Sequence, residues 1–233
     1  MPVRLPEELI KELDHMMDRL NKGDVDERQF INSRLIDYEK SGKIPLDALL
    51  EMADEANPTM SMYAVGALGR SRHPAAVQKL LDLAGDYRTR HPMFTETVVD
   101  ALGETGDKAA TMLLMDFLGV KSGWKNKLLG KLSLKKEEPT EEEKGFRTYI
   151  VLPAMRALAK LADPRAAEAF TAYLEHEDPL VRWHAIQGIV ACGLTDLIPR
   201  LQQIGEKDAN ELVREKARIA VESMRSPPPR LVN

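Results

Sequence analysis

A five-residue block returns along this chain in one register and limits what it can fold into. It reads Ala64-Val65-Gly66-Ala67-Leu68, Val98-Val99-Asp100-Ala101-Leu102, Ala154-Met155-Arg156-Ala157-Leu158, Ala185-Ile186-Gln187-Gly188-Ile189 and Ala217-Arg218-Ile219-Ala220-Val221. The steps between the last residues of successive blocks are 34, 56, 31 and 32. Three of these are the period of stacked helical hairpins, and the fourth is one period plus an insertion of more than twenty residues. Apolar residues at i, i+3 and i+4 give each helix one sticky stripe. The small residues among them let neighbouring helices approach to about 8–10 Å. A single hairpin cannot bury its stripe alone, so the units must stack.

The turns keep time with the blocks. Asn57-Pro58, His73-Pro74, His91-Pro92, Asp163-Pro164 and Asp178-Pro179 each place a capping side chain before a proline. Proline is harmless at the first helical position, because its missing N–H would have no helical partner there. These pairs predict five helix starts.

In Asp178-Pro179-Leu180-Val181-Arg182-Trp183-His184-Ala185-Ile186, and its echo Leu212-Val213-Arg214-Glu215-Lys216-Ala217-Arg218-Ile219, the chain resembles the D-x-x-V-R-x-x-A-x-x-A-L signature of HEAT-like repeats. The likeness is to the subclass called the phycobilisome-lyase type. It implies an all-α fold, an α-solenoid of about five stacked helical hairpins. It says little of function, because a fold hosts many functions. It also implies that the second helices line the concave side. The positions between their apolar residues are Gln78, Asp82, Thr111, Met115, Glu168, Ala172 and Gln203. This mixed, mildly polar set suits a protein or peptide better than phosphate, and these seven are the candidate partner-binding residues.

Three domain segments are expected: an N-terminal helical cap or divergent hairpin over 1–56, repeats over 57–225 with an insertion at about 119–146, and an extended proline-rich tail over 226–233. In the cap, Asp24 and Glu27 form a capping-box pair before a helix with Phe30, Leu35 and Ile36 as its stripe. Gly42 ends that helix.

The insertion opens with GVKSGWKNKLLGKLSLKK, six lysines and no acid. Trp124, Leu128 and Leu132 recur every four residues, with Lys121, Lys125 and Lys131 among them. This is the pattern of a basic amphipathic helix that docks on a partner or lies on an anionic membrane. A solvated loop is the alternative reading, since charge runs usually face water.

Several chemistries are disfavoured. Deoxyhypusine hydroxylase shares the repeat and holds two irons through His-Glu pairs at one place in several repeats. Here that place reads Met62-Tyr63, Glu96-Thr97, Leu152-Pro153, Trp183-His184 and Glu215-Lys216, with no His-Glu. No metal or other cofactor is therefore expected. His73 and His91 read as helix caps, and Cys192 as a small hydrophobe. As the sole cysteine it rules out an internal disulfide. A net charge of −4 argues against nucleic acid. The start MPVRLPEELIKEL lacks the apolar run of a signal peptide, so a cytoplasmic protein is expected. The functional expectation is a non-enzymatic scaffold that binds a protein or peptide on its concave face. A phycobilin-lyase-like or chaperone-like factor for a cofactor-bearing protein is the alternative.

Overall fold

The computed structural model describes residues 7–23, 25–54, 58–86, 91–120 and 141–225. Asp24, Asn57, the insertion residues Lys121, Trp124, Lys125, Leu128, Lys131 and Leu132, and the tail from Ser226 lie outside the described residues, as does the side chain of Glu27. Every regular element among the described residues is helical. None of these helices is long and apolar enough to cross a membrane.

The chain divides into two compact units, 1–105 and 106–233. The first holds α1 (Glu7–Lys22), α2 (Val25–Lys40), α3 (Leu46–Met52), α4 (Pro58–Ser71), α5 (Pro74–Gly85) and α6 (Pro92–Thr105). α4 packs along α6, with α5 against both, and α3 covers α4. The recurring blocks form the seam: Ala64, Val65, Leu68, Val98, Val99 and Leu102 are fully buried. At Gly69 the helices come so close that a Cβ would sit 2.7 Å from the Ala101 carbonyl oxygen. α2 differs from the expected stripe. Ile31, Leu35 and Tyr38 are its buried residues, whereas Phe30 is exposed and Ile36 half-buried. Residues 31, 35 and 38 follow the helical period; Phe30 precedes that stripe by one residue, about 100° around the helix.

The second unit holds α7 (Thr111–Phe117), α8 (Glu141–Leu161), α9 (Ala167–Tyr173), α10 (Pro179–Ala191), α11 (Ile198–Lys207) and α12 (Glu211–Arg225). α8, α10 and α12 pack in sequence, while α7, α9 and α11 each cover a member of that row. Phe170, Met155, Leu158, Ile186 and Ile189 are fully buried. Gly188 faces the Phe170 ring so closely that a Cβ would meet Cε1 at 2.2 Å. The residues flanking 121–140 are tied together: Phe117 and Phe146 meet edge to face at 5.3 Å, and Tyr173 donates to the Leu118 carbonyl at 2.8 Å.

The X-Pro starts are helix starts. His73, Asp163 and Asp178 accept from the amides of Ala75, Arg165 and Leu180 at 3.2, 3.0 and 2.8 Å. His91 Nδ1 accepts from Met93 at 3.2 Å. The two histidines act as caps, as their positions predict. Gly42, at φ +71, ends α2, and the Lys43 amide reaches back to the Tyr38 carbonyl at 3.0 Å.

Candidate functional site

In both units the first helices of the hairpins form the tight, continuous layer, and their outer faces are what the fold displays. The block register identifies those faces. The residue five before each block is Thr59, Met93, Tyr149, Leu180 and Leu212. Four of these are large apolar residues, and Met93, Tyr149, Leu180 and Leu212 are 55, 39, 53 and 71% exposed. Exposed apolar side chains singly mean little, but these recur at one place in the register.

In the first unit this face is a groove of about 710 Å³ between α2, α4 and α6. Leu35, Ile36, Met62 and Met93 give it an apolar lining. A contiguous pocket of about 360 Å³ shares Gly66, Arg70, Met93 and Thr97 and adds Glu96, Asp100 and Glu104 from α6. Across the groove Glu39 of α2 holds two partners from α4. Tyr63 donates to its Oε1 at 3.0 Å, and Arg70 donates to both carboxylate oxygens, at 3.1 and 2.6 Å. Burial and then the Glu39 charge push the Tyr63 hydroxyl far above its ordinary value. It is therefore a hydrogen-bond donor at every physiological pH, not a proton-transfer group.

In the second unit the same face is aromatic and cationic. Lys216 Nζ lies 4.0 Å from the centroid of the Trp183 ring. His184, half-buried beside it, meets Gln187 Oε1 at 3.2 Å. Burial, with Arg156, Lys216 and Lys160 nearby, holds the imidazole below its ordinary pKa despite Gln187. Behind this face the turns are pinned by two ion pairs, one largely buried and one in which a buried carboxylate meets a half-exposed arginine. Arg182 clasps both oxygens of Asp208 at 2.9 and 2.7 Å. Asp163 accepts from Arg165 Nε and from the Thr111 hydroxyl, each at 2.8 Å. Burial alone would raise the Asp163 pKa, but these bonds outweigh it and bring it down to about 2.

The residues chosen from the second helices fall elsewhere. Gln78, Asp82, Glu168, Ala172 and Gln203 are exposed. Gln78 donates to Asp82 at 2.8 Å. Thr111 and Met115 are fully buried and present nothing to a partner. α7 is entered through a 3-10 turn, Lys108–Ala110, and packs on α8, and Thr111 spends its hydroxyl on buried Asp163. The groove on α4 and α6 was missed. The signal for it was present in the register, five residues before each block and two and six residues after its first member.

Cys192 is half-buried. Burial and then the Asp163 charge push its thiol up, away from thiolate chemistry. Among the described residues no three His, Cys, Asp or Glu side chains converge as metal ligands would.

A layered stack of antiparallel helix pairs, with its caps and blocks in one register, is a helical-repeat protein. The sequence profile described as HEAT repeats matches residues 46–129 and 151–222, about two-thirds of the chain, and the chain belongs to the HEAT-repeat family. No curated protein matches it. Among solved structures, human deoxyhypusine hydroxylase in complex with glycerol is similar at 17% identity, with 92% of this chain and 96% of that one covered and a TM-score of 0.30. At that score the likeness carries nothing about activity.

Proposed function

We propose that this chain is a non-enzymatic interaction scaffold that binds a protein or peptide on the outer face of its first helices. The observation that carries the reading is the groove between α2, α4 and α6, about 710 Å³ and apolar within, on a repeat fold whose layers expose extended surfaces for binding. Within the groove Tyr63, Glu39 and Arg70 form a closed set of hydrogen bonds. The set fixes α2 against α4 and keeps its own three members engaged with one another. The exposed second-helix residues Gln78, Asp82 and Glu168 define a competing surface.

The test is affinity purification of the tagged chain from its native cell in three forms: intact, Met62→Glu with Met93→Glu, and Gln78, Asp82 and Glu168 all changed to Ala. A stoichiometric protein that disappears only in the groove variant supports the reading. Its loss only in the second-helix variant moves the site there. No stoichiometric protein in any sample overturns the scaffold function.

A further inference from the structure

The inference rests on the scaffold reading and concerns a second contact, on the outer face of the second unit. We infer that the face shared by α10 and α12 receives an amphipathic helix from a partner protein, one that carries a single carboxylate within its apolar stripe. Leu180 and Trp183 stand on α10, and Leu212, Lys216 and Ile219 on α12, at helical spacing. The two helices pack together, and Lys216 Nζ lies 4.0 Å from the Trp183 ring centroid, so the two stripes run side by side. Leu180, Leu212 and Ile219 are three of the seven large apolar side chains exposed among the described residues. Their gathering about one ring sets them apart from singly exposed residues. His184 meets the Trp183 ring edge to face, with centroids 4.9 Å apart, and is itself held by Gln187 at 3.2 Å.

Charge decides what this patch fits. Lys216 is partly buried, and burial lowers its pKa. Among the described residues its ammonium meets the Trp183 ring and makes no hydrogen bond or ion pair. A cation over a ring keeps its N–H donors for another acceptor. Arg156 and Lys160, the other cations acting on His184, have contacts of their own, so Lys216 is the charge a ligand can take up. A carboxylate that arrives within an apolar stripe supplies the missing counter-charge while the leucines around it exclude water, which strengthens the pair. Glu211 and Glu215 are exposed beside Leu212 and Lys216 in the chain, and they disfavour a polyanion such as nucleic acid or an anionic bilayer. From Leu212 to Ile219 is seven steps, about 10 Å or two helical turns. A partner helix with leucine at i, i+3 and i+7 and an acid at i+4 presents a complementary stripe of the same length. Charge complementarity of this kind fixes register and orientation.

The experiment uses the full chain and three synthetic helical peptides of about 16 residues, four to five turns. All carry leucine on one face, and at the centre of that face one has glutamate, one glutamine and one lysine. Binding is read by fluorescence anisotropy at low and high salt. The glutamate peptide should bind most tightly, weaken as salt rises, and lose about fivefold in affinity on Lys216→Gln. The glutamine peptide should change by less than about twofold on the same substitution, which assigns the coupling to the charge pair. Lys216→Glu should reverse the order and favour the lysine peptide. Leu212→Asp with Ile219→Asp should weaken all three. Met62→Glu with Met93→Glu, in the first unit's groove, should leave the glutamate peptide within about twofold. Far-ultraviolet circular dichroism confirms that each variant keeps its helices. The inference is overturned if no peptide binds, if the glutamine or lysine peptide binds the unaltered chain as well as the glutamate peptide, or if Lys216→Glu fails to reverse the order. It is equally overturned if a single-stranded oligonucleotide or phosphatidylserine vesicles bind more tightly than the glutamate peptide and lose that binding on Lys216→Gln. Should the glutamate preference fail while the cellular partner is still lost on Met62→Glu with Met93→Glu, the scaffold reading stands and only this second contact falls.

Discussion

Two residues after the first member of each block, the first unit carries Gly66 and Asp100, whereas the second carries Arg156, Gln187 and Ile219. Four positions further on the first has Arg70 and Glu104, and the second Lys160, Ala191 and Ser223. One repeat thus presents an open acidic groove in one unit and a filled, cationic and aromatic face in the other. The charged contacts are divided the same way. In the first unit the Glu39 cluster stands on the display face. In the second, Arg182–Asp208 and Asp163–Arg165 lie in the turns behind it. The repeat needs only its inward positions for stacking, so the outward ones are free to carry different chemistry in each unit.

The largest effect should come from breaking a turn of the second unit. Arg182 and Asp208 side chains are 12 and 8% exposed. Asp208→Ala leaves the largely buried guanidinium its bonds to the His176 and Glu177 carbonyls but removes its counter-charge, at a cost of about 3 kcal/mol. Removing both partners with Arg182→Met should recover part of that loss. Glu39→Ala should cost about 1 kcal/mol, because the Arg70 it leaves behind is 40% exposed and can turn to water. Urea unfolding of the three variants measures both. Equal losses from Asp208→Ala and Glu39→Ala would end the contrast between the units.

These pairs also mark where sequence reading stops. Helix starts and the block register were legible because caps and prolines act locally, within three residues. Thr111 and Asp163 are 52 residues apart, and nothing in either segment announces the bond. Thr111 therefore read as an exposed threonine between apolar neighbours. The groove was half legible: its lining shares a register, but which layer of helices is displayed depends on packing. For α2 the period was there, yet Phe30 drew the stripe one residue out of place.

Close approach gives the next contrast, inside one helix. Gly69→Ala would press a methyl onto the Ala101 backbone, which has no rotamer to escape by, and overpacking of this kind costs about 1–3 kcal/mol. Gly66→Ala, one turn earlier on the groove floor, meets only the end of the Arg70 side chain at 3.5 Å. It should stabilise α4 by up to about 1 kcal/mol and narrow the groove. Thermal midpoints moving in opposite directions would confirm that the first unit keeps one glycine for packing and one for its open face.

Acid should act on the second unit. Asp163 is depressed to about 2, and Asp208 is also lowered, where the bonds from Arg182 outweigh burial. A depressed carboxylate contributes stability above its unfolded pKa of about 4 and loses it as pH falls through the folded value. For Asp163 the loss is about 2 kcal/mol, taken between pH about 4 and about 2. Amide hydrogen exchange on either side of this window should show protection falling in residues 106–120 and 141–225. Asp163→Asn should remove its share of the pH dependence. Exchange that stayed unchanged in the second unit would contradict the role given to Asp163.

The smallest effects concern helix ends, where the units are alike. Eight residues after the first member of the block stand Arg72, Gly106, Ala162 and Gly193, and all four have positive φ, at 53, 69, 48 and 64°. α4 and α8 therefore end on a residue that pays for the left-handed turn, and α6 and α10 end on glycine. The left-handed region costs a side chain about 1 kcal/mol. Arg72→Gly and Ala162→Gly should each stabilise by somewhat less, because glycine also loosens the unfolded chain. Gly106→Ala and Gly193→Ala should each destabilise by about 1 kcal/mol. Nothing lies within 4 Å of a Cβ at either glycine, so conformation alone sets the sign. Four small shifts that pair by residue type, measured as urea midpoints, would show that the repeat constrains backbone geometry alike at all four helix ends while the outer faces diverge. A shift in only one unit would mean that the shared register does not extend to the way its helices end.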